Sequence, residues 1–269
     1  MENKILPAIG GRRLDRITPP TVLNEVLRPI EAEGKLETLY SVKTILSQIF
    51  RYAVANGLME RDFTLDLKGA FPPKKPEHRA AITDPAKLGE LFRAVDAYPG
   101  APVVRYALRM LPYVFTRPGE LRNAVWDEVS LNESLWRIPA ARMKMRIAHV
   151  VPLASQVKAL LSELKELTGW SPLLFPGPMV KIRPISDATM SSALRSMGYG
   201  KSEICPHGFR TTASTLLHEK GYPSEWIEAQ LAHRDANAVR AAYNRAEHLE
   251  ERRRMMQEWA DYLDVLRAG

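Results

Sequence analysis

Residues 207–222 read HGFRTTASTLLHEKGY, and this stretch says most about the architecture of the chain. Its pattern predicts a helix over Phe209–Lys220. His207 and Arg210 are three residues apart, so their side chains share one face of that helix. The same face becomes apolar at Leu217. This arrangement fits the wall of an active site, and it fits an ordinary amphipathic helix as well.

Four more residues with reactive or charged side chains occur in distinctive segments on either side of this helix. They are Arg117 in FTRPGEL, Lys144 in RMKMR, His233 in LAHRD and Tyr243 in AAYNR. Taken singly, each has an ordinary explanation: a solvated arginine, a hairpin lysine, a core or capping histidine and a packed tyrosine. Together with His207 and Arg210 they form a cationic set with one tyrosine, without an acidic metal-ligand cluster or a glycine-rich phosphate loop.

Such a set is suited to stabilising the charge of a phosphate group without a metal ion. Two guanidinium groups bind the non-bridging oxygens of a phosphate in a bidentate manner. Fixed positive charge is a large catalytic term in phosphoryl transfer. A tyrosine becomes a nucleophile once its proton leaves, although its unperturbed pKa is about 10. Neighbouring cations lower that pKa, and a histidine can accept the proton.

The order Arg, Lys, His-x-x-Arg, His, Tyr resembles the active site of the tyrosine recombinases, the phage integrase family. Segments similar to those of phage and genomic-island integrases are FTRPGEL, ARMKMRIAHVVPL, HGFRTTASTLLHEKGY and LAHRDANAVRAAYNRA. The resemblance is strong over about residues 100–260 and weaker from there back to about residue 10. The tyrosine follows the histidine of LAH by ten residues, which makes the match specific.

The resemblance implies a role for each member of the set. Tyr243 attacks a DNA phosphate, forms a 3′-phosphotyrosyl bond and releases a 5′-hydroxyl, which needs no ATP, metal ion or other cofactor. The other implied roles are phosphate clamping by Arg117 and Arg210, protonation of the leaving oxygen by Lys144, proton acceptance by His207, and orientation of the phosphate or the tyrosine by His233. Glu120, one helical turn after Arg117, is expected to support a basic side chain, and His149 is expected to be a strand residue.

The apolar spacing predicts a mainly α-helical chain with one small β-sheet. Short strands are expected at Trp126–Val129, Leu135–Ile138 and His149–Leu153. After them, helices are expected at Ser155–Leu167, Ser186–Met197, Phe209–Lys220 and Ser224–Leu231. The resemblance implies that the three-stranded sheet is antiparallel and that the chain forms a two-domain clamp around a DNA duplex.

A proline-rich segment, FPPKKPEHRA at 71–80, divides the chain, because proline disfavours a helix. We expect a small helical domain at 1–72, a linker at 73–82, and a catalytic domain at 83–269 that ends in a helix from about residue 247. By resemblance, the first is a core-binding domain. Integrases of this subgroup usually carry a further N-terminal domain that binds arm-type sites. Nothing here corresponds to it, so arm-site binding is not expected.

The chain of 269 residues has a net charge of +7, and 45% of its residues are hydrophobic. An excess of Lys and Arg favours a polyanionic partner through counterion release. The resemblance implies double-stranded DNA at core-type attachment sites, with further contacts expected from Lys43, Arg51, Lys74 and Lys75. A single cysteine, the lack of a secretory signal and the lack of a membrane-length apolar run predict a cytoplasmic protein.

The segment after Tyr243 has an apolar stripe at helical spacing, formed by Leu249, Met256, Trp259, Leu263 and Leu266. Two explanations are open: packing against its own domain, or docking on a neighbouring protomer. The resemblance implies the second, within a homotetramer assembled on DNA. Mobility is then expected in the join between Ala246 and His248.

The residues leave three functions open. The resemblance favours a site-specific recombinase that integrates or excises a mobile element. The same chemistry would serve a type IB topoisomerase-like enzyme or a resolvase that nicks and reseals strands. A catalytically idle DNA-binding relative is the third, and the presence of all six residues in order argues against it. An accessory DNA-bending protein is a further partner that the resemblance leaves open.

Overall fold

The chain divides into two compact units, Met1–Glu77 and His78–Gly269. The computed structural model describes residues 3–73, 79–177, 182–233 and 248–269. Each unit has a hydrophobic core of its own. No described helix is long and apolar enough to cross a membrane.

The regular secondary structure in the described part of the first unit is helical. Its helices are α1 (Leu6–Ile9), α2 (a continuous run of Pro19–Thr21, Val22–Leu27 and Arg28–Ala32) and α3 (Leu36–Ala55), with 3-10 turns at Leu14–Arg16 and Phe63–Leu67. Thr18 caps α2, because its hydroxyl accepts a hydrogen bond from the Thr21 backbone N–H at 3.4 Å. The helix α3 ends before Gly57, whose φ of 69° suits glycine.

The middle of α2 is a π-helical stretch at Val22–Leu27, directly before Pro29. In this stretch the Arg28 N–H donates to the Leu23 carbonyl, five residues back. Proline has no N–H and its ring clashes with the carbonyl one turn earlier, so it usually breaks a helix. The wider turn is a local adjustment of the kind that lets a helix continue past such a residue.

Two of the predicted DNA contacts lie on α3. The Lys43 ammonium is partly buried and donates to the Leu67 carbonyl at 3.0 Å, so it is tied to its own unit. Arg51 is exposed, although its guanidinium contacts Ser47 Oγ at 3.0 Å and Asp62 at 3.7 Å. Both remain predictions as DNA contacts. Lys74 and Lys75 lie outside the described residues.

The second unit packs helices around one core and carries a small sheet. Its described helices are α4 (Pro85–Asp96), α5 (Pro102–Val114), α6 (Pro118–Arg122), α7 (Ser155–Thr168), α8 (Thr189–Ser196), α9 (Gly208–Glu219), α10 (Ser224–Gln230) and α11 (Leu249–Ala268). The mainly α fold with a small antiparallel sheet is confirmed.

The sheet is antiparallel in the order β1-β2-β3, with strands Val129–Ser130, Leu135–Ile138 and His149–Pro152. The first strand was predicted too early, because Trp126–Glu128 forms a 3-10 turn. The Trp126 N–H donates to the Pro172 carbonyl at 2.9 Å and is therefore taken out of the sheet.

The C-terminal helix α11 packs on its own domain. Met256, Trp259 and Leu263 are at most 1% exposed and join the core of the second unit. The Trp259 indole N–H donates to the Pro112 carbonyl at 2.9 Å. Leu266 is partly buried against the same core, and Leu249 is partly exposed at the first turn.

Of the two explanations for the stripe, this packing matches the first, and docking on a neighbouring protomer stays a prediction. The three central side chains of the stripe are occupied within the chain and offer no docking surface in this position. The approach is close, since a Cβ atom added at Gly89 on α4 would overlap the Leu266 carbonyl. Only a glycine at this position lets the two helices meet.

Candidate active site

Arg117 lies at the start of α6 and is held there by Glu120. The Arg117 backbone N–H donates to Glu120 Oε2 at 2.9 Å, and its guanidinium Nη1 donates to Glu120 Oε1 at 2.8 Å. Glu120 is only 5% exposed, so the carboxylate fixes the arginine from beneath. The predicted support of a basic side chain by Glu120 has this geometry. Among the described residues Glu120 is the guanidinium partner of Arg117, so most of its five N–H groups are not used by that part of the chain.

Arg210 lies on the first turn of α9 and is 4% exposed. Its Nη1 donates to the Phe115 carbonyl at 2.8 Å, and its Nη2 donates to the Leu231 carbonyl at 2.7 Å. Burial and the charge of Arg117 lower the pKa of Arg210 to about 10. The side chain therefore stays charged at neutral pH. The two guanidinium groups lie close enough to repel each other.

His233 completes the contact with Arg210. Its Nε2 lies 3.3 Å from Arg210 Nη2, and its Nδ1 lies 2.6 Å from Glu228 Oε2. An arginine only donates hydrogen bonds, so Nε2 accepts and the ring proton sits on Nδ1, towards the carboxylate. The imidazole is oriented by one partner on each nitrogen, as a positioned catalytic histidine would be.

His207 precedes α9 and is half-buried. Its pKa is lowered to about 4 by burial and by the charges of Arg79, Arg210, Arg117 and His233. The ring is therefore neutral at pH 7 in the free protein. An anion bound among these cations would raise the pKa of the histidine.

The chain entering the catalytic unit lies directly on the start of α9. The Cys205 N–H donates to the Ala80 carbonyl at 3.3 Å, and the Thr212 hydroxyl donates to the Ile82 carbonyl at 2.7 Å. A Cβ atom at Gly208 would overlap the Ala80 carbonyl, so glycine is required at the first residue of α9. This close approach fixes the position of His207.

Lys144 is exposed on the connection between β2 and β3. Among the described residues it has no hydrogen bond or ion pair. The base of the connection is nevertheless anchored: Arg142 Nη2 donates to the Glu120 carbonyl at 2.5 Å, and its Nη1 pairs with Glu128. Glu128 also accepts from the Trp136 indole at 3.0 Å. The loop carrying the lysine thus starts next to the Arg117 helix.

Tyr243 lies outside the described residues. The described residues that flank the segment carrying it are His233 and His248. The structure brings together Arg117, Glu120, His207, Arg210 and His233. It does not place the tyrosine, and it leaves Lys144 exposed on its loop.

A buried polar network beneath this cluster was missed by the sequence interpretation. Gln230 is fully buried, and Arg252 and His149 are 7% and 8% exposed. Arg252 donates to the Gln230 side-chain oxygen at 2.5 Å and to the Val150 carbonyl at 2.6 Å. His149 Nε2 donates to the Gln230 backbone carbonyl at 3.1 Å. One signal was present: Arg252 is a charge on the same helical stripe as Met256.

The histidine of this network predicts an acid sensitivity of folding. Burial, and then the charge of Arg252, lower the pKa of His149 from 6.5 to about 3. Because the folded pKa lies below the unfolded one, the contribution to stability is complete above about pH 6.5 and is lost as the pH falls towards 3. At pH 5 we expect a loss on the order of 2 kcal/mol, from about 1.4 kcal/mol per pH unit.

Urea unfolding at pH 7.5 and pH 5.0 measures this effect. His149→Gln keeps an N–H donor without titrating, and it should reduce the pH-dependent part of the loss. His218→Gln, at an exposed position, is the matched control and should leave the pH dependence as in the wild type. An equal pH dependence in His149→Gln and the wild type would contradict the assignment.

Comparison with known proteins identifies the family of the chain. The family model described as Phage integrase family matches residues 82–250, and the one described as Phage integrase central domain matches residues 1–70. The chain is 37% identical over 282 residues to the putative protein IntB of Escherichia coli, covering 99% of this chain and 71% of that protein. It is 39% identical over 282 residues to the integrase of Enterobacteria phage P4, covering 99% and 64%.

Solved structures share the fold. A crystal structure of a lambda integrase fragment, a dimer bound to a COC′ core site, has a TM-score of 0.66 at 18% identity and covers 86% of this chain and 84% of that chain. A lambda integrase tetramer bound to a Holliday junction has a TM-score of 0.63 at 20% identity and covers 84% and 66%.

The two family models, which together match most of the chain, define a tyrosine recombinase, a class whose function is site-specific recombination of DNA. The chain belongs to the phage integrase family. It spans about two thirds of the length of the curated relatives that it matches.

Proposed function

We propose that the protein is a DNA strand transferase that cuts and rejoins duplex DNA through Tyr243. The phenolic oxygen attacks the scissile phosphorus and forms a 3′-phosphotyrosyl bond. The bond to the 5′ oxygen breaks, and that oxygen leaves as a hydroxyl. Since the energy of the phosphodiester is kept in the covalent intermediate, rejoining needs no ATP. We propose that no metal ion takes part either.

The remaining residues would act on the charge and the protons of this step. Arg117 and Arg210 hold the non-bridging oxygens with their free N–H groups. His207 accepts the proton of Tyr243, and His233 orients the phosphate through its contact with Arg210. Lys144, on its exposed loop, protonates the leaving 5′ oxygen once DNA is bound.

The observation that supports this proposal best is that the guanidinium groups of Arg117 and Arg210 lie close together despite their like charge. Arg210 is held by two carbonyls, and burial, followed by the charge of Arg117, lowers its pKa to about 10. Glu120 offsets part of this repulsion through its ion pair with Arg117, and a bound anion would offset more of it. A phosphate diester has one negative charge and two free oxygens, which match the two groups.

The biological reaction that we propose is the integration or excision of a mobile element at core-type attachment sites. Residues 1–72 would be the core-binding domain, residues 73–82 the linker and residues 83–269 the catalytic domain. The lambda integrase tetramer supports a tetramer on DNA as the active assembly. We place the reaction in the prokaryotic cytoplasm, with a DNA-bending protein as an optional partner.

A suicide substrate tests the proposal. A core-site duplex nicked close to the cleavage point loses the short 5′-hydroxyl strand after attack, so the covalent adduct accumulates. Wild-type protein in EDTA and without ATP should give an adduct that resists SDS. If no adduct forms on cognate DNA, the catalytic proposal fails. If supercoiled DNA without a core site is relaxed, a topoisomerase-like enzyme replaces the recombinase.

A further inference from the structure

Arg252 is a buried cation in the first turn of α11, with only neutral oxygens as partners among the described residues. Its Nη2 donates to Gln230 Oε1 at 2.5 Å and to the Val150 carbonyl at 2.6 Å, and its Nε lies 3.2 Å from Gln230 Oε1. Burial lowers its pKa to about 10, so it keeps its charge. Removing a cation from water without a carboxylate partner is costly. On the same face of α11, the neighbouring buried side chain, that of Met256, is apolar.

Gln230 connects Arg252 to the two chain segments whose backbone carbonyls bind Arg210. Its Nε2 donates to the Val114 carbonyl at 3.3 Å, and the next carbonyl along, that of Phe115, accepts from Arg210 Nη1. On the other side, Leu231 directly follows Gln230, and its carbonyl accepts from Arg210 Nη2. The glutamine therefore cross-links the two backbone segments whose carbonyls aim the guanidinium.

The orientation of this cross-link depends on Arg252. An amide side chain can rotate so that its oxygen and nitrogen exchange places. Arg252 only donates, so it binds the oxygen and leaves the nitrogen to face the Val114 carbonyl. Without the arginine, the glutamine loses the contact that fixes its orientation, and the spacing of the Phe115 and Leu231 carbonyls is no longer held.

We propose that Arg252 is a positioning residue for catalysis. Through Gln230 it joins α11 to the carbonyls that orient Arg210, and we call this Arg252–Gln230 contact the latch. The latch forms only when the first turn of α11 is in place. The position of α11 and the orientation of the Arg210 guanidinium are thereby coupled. This inference rests on the proposed use of Arg210 on a phosphate.

Arg252→Met tests the latch, because methionine fills the same space without donating. A misplaced catalytic group costs on the order of 100-fold. We expect a 10- to 100-fold slower rate of covalent adduct formation on the suicide duplex, with duplex affinity within about twofold of the wild type. Arg254→Met, at an exposed position two residues along, is the matched control and should keep the wild-type rate. Arg252→Lys keeps a hydrogen-bond donor but lacks the planar, two-pronged guanidinium, so its rate of adduct formation should lie between those of the other two variants.

A readout that needs no activity separates positioning from loss of fold. The guanidinium N–H signals of Arg210 are assigned by their absence in Arg210→Lys and are recorded well below the melting temperature. In Arg252→Met they should shift and broaden, whereas in Arg254→Met they should stay in place. If Arg252→Met does not fold, Arg252→Lys is measured in the same way.

The outcomes remain distinguishable from failure of the proposed function. Wild-type protein that forms no adduct contradicts the catalytic proposal itself. An active wild type with unchanged Arg210 signals in the Arg252 variants overturns the latch. A rate in Arg252→Met within twofold of the wild type overturns it as well.

Discussion

Replacing Tyr243 by phenylalanine is expected to abolish the covalent adduct while leaving duplex binding almost unchanged. Phenylalanine keeps the ring and removes only the hydroxyl, so the variant lacks the atom that attacks phosphorus. The positive charges that bind the DNA backbone are all retained, and they supply most of the affinity for a phosphate polymer. Adduct formation on the suicide substrate, followed by denaturing gel electrophoresis, and a mobility-shift titration at fixed salt measure the two effects.

Two controls belong to this experiment. Tyr222→Phe removes a hydroxyl that contacts Glu258 within the domain, and it should leave the adduct level intact. Peptide mapping of the wild-type adduct should place the nucleotide on the peptide that contains residue 243. An adduct in Tyr243→Phe, or an equal loss of binding and cleavage, would show that this tyrosine is structural and that another nucleophile must be sought.

Replacing Arg210 by alanine is expected to slow cleavage by about 1,000-fold or more. Removal of one fixed donor from a developing anion costs about 100- to 1,000-fold in well-studied enzymes, and Arg210 carries a full charge as well. The change also leaves the Phe115 and Leu231 carbonyls without their partner, at about 1–3 kcal/mol for each buried group. Single-turnover cleavage rates, with melting temperatures beside them, measure both consequences.

Arg210→Lys separates charge from geometry. Lysine keeps the positive charge but offers no planar fork, so it cannot meet both carbonyls and a phosphate together. We expect near-normal binding and cleavage still reduced by at least about tenfold. Arg137→Ala removes an exposed arginine that pairs with Glu133 and serves as the control for a lost surface charge. If Arg210→Ala lowers only the salt dependence of binding by about one ion, the residue is an ordinary phosphate contact.

The helices show how much of the fold can be predicted from the sequence. Residues of α9 alternate between polar and apolar on a 3.6-residue period, and its observed span, Gly208–Glu219, differs from the predicted one by a single residue at each end. The first strand was misplaced because the hydrogen bond of the Trp126 N–H goes to Pro172, far along the chain. A partner so distant in sequence leaves no trace in the local pattern.

The same limit applies to the site. The order and spacing of Arg117, His207, Arg210 and His233 are visible in the sequence, and the structure places these side chains together. Their support is not visible in the same way. Gln230 lies among ordinary helix residues, and its three hydrogen-bonding neighbours come from different elements.

The sequence by itself determined the helical class, the small sheet, the family and the chemical set, because these depend on periodicity and on residue types at fixed spacings. Only the tertiary structure decided which way α11 faces and what holds Arg210. An apolar stripe such as Met256, Trp259 and Leu263 is satisfied equally by its own domain or by a neighbour, since burial of apolar surface has no direction. Hydrogen bonds do have direction, and those of Trp259 to Pro112 and of Arg252 to Gln230 join this helix to its own chain.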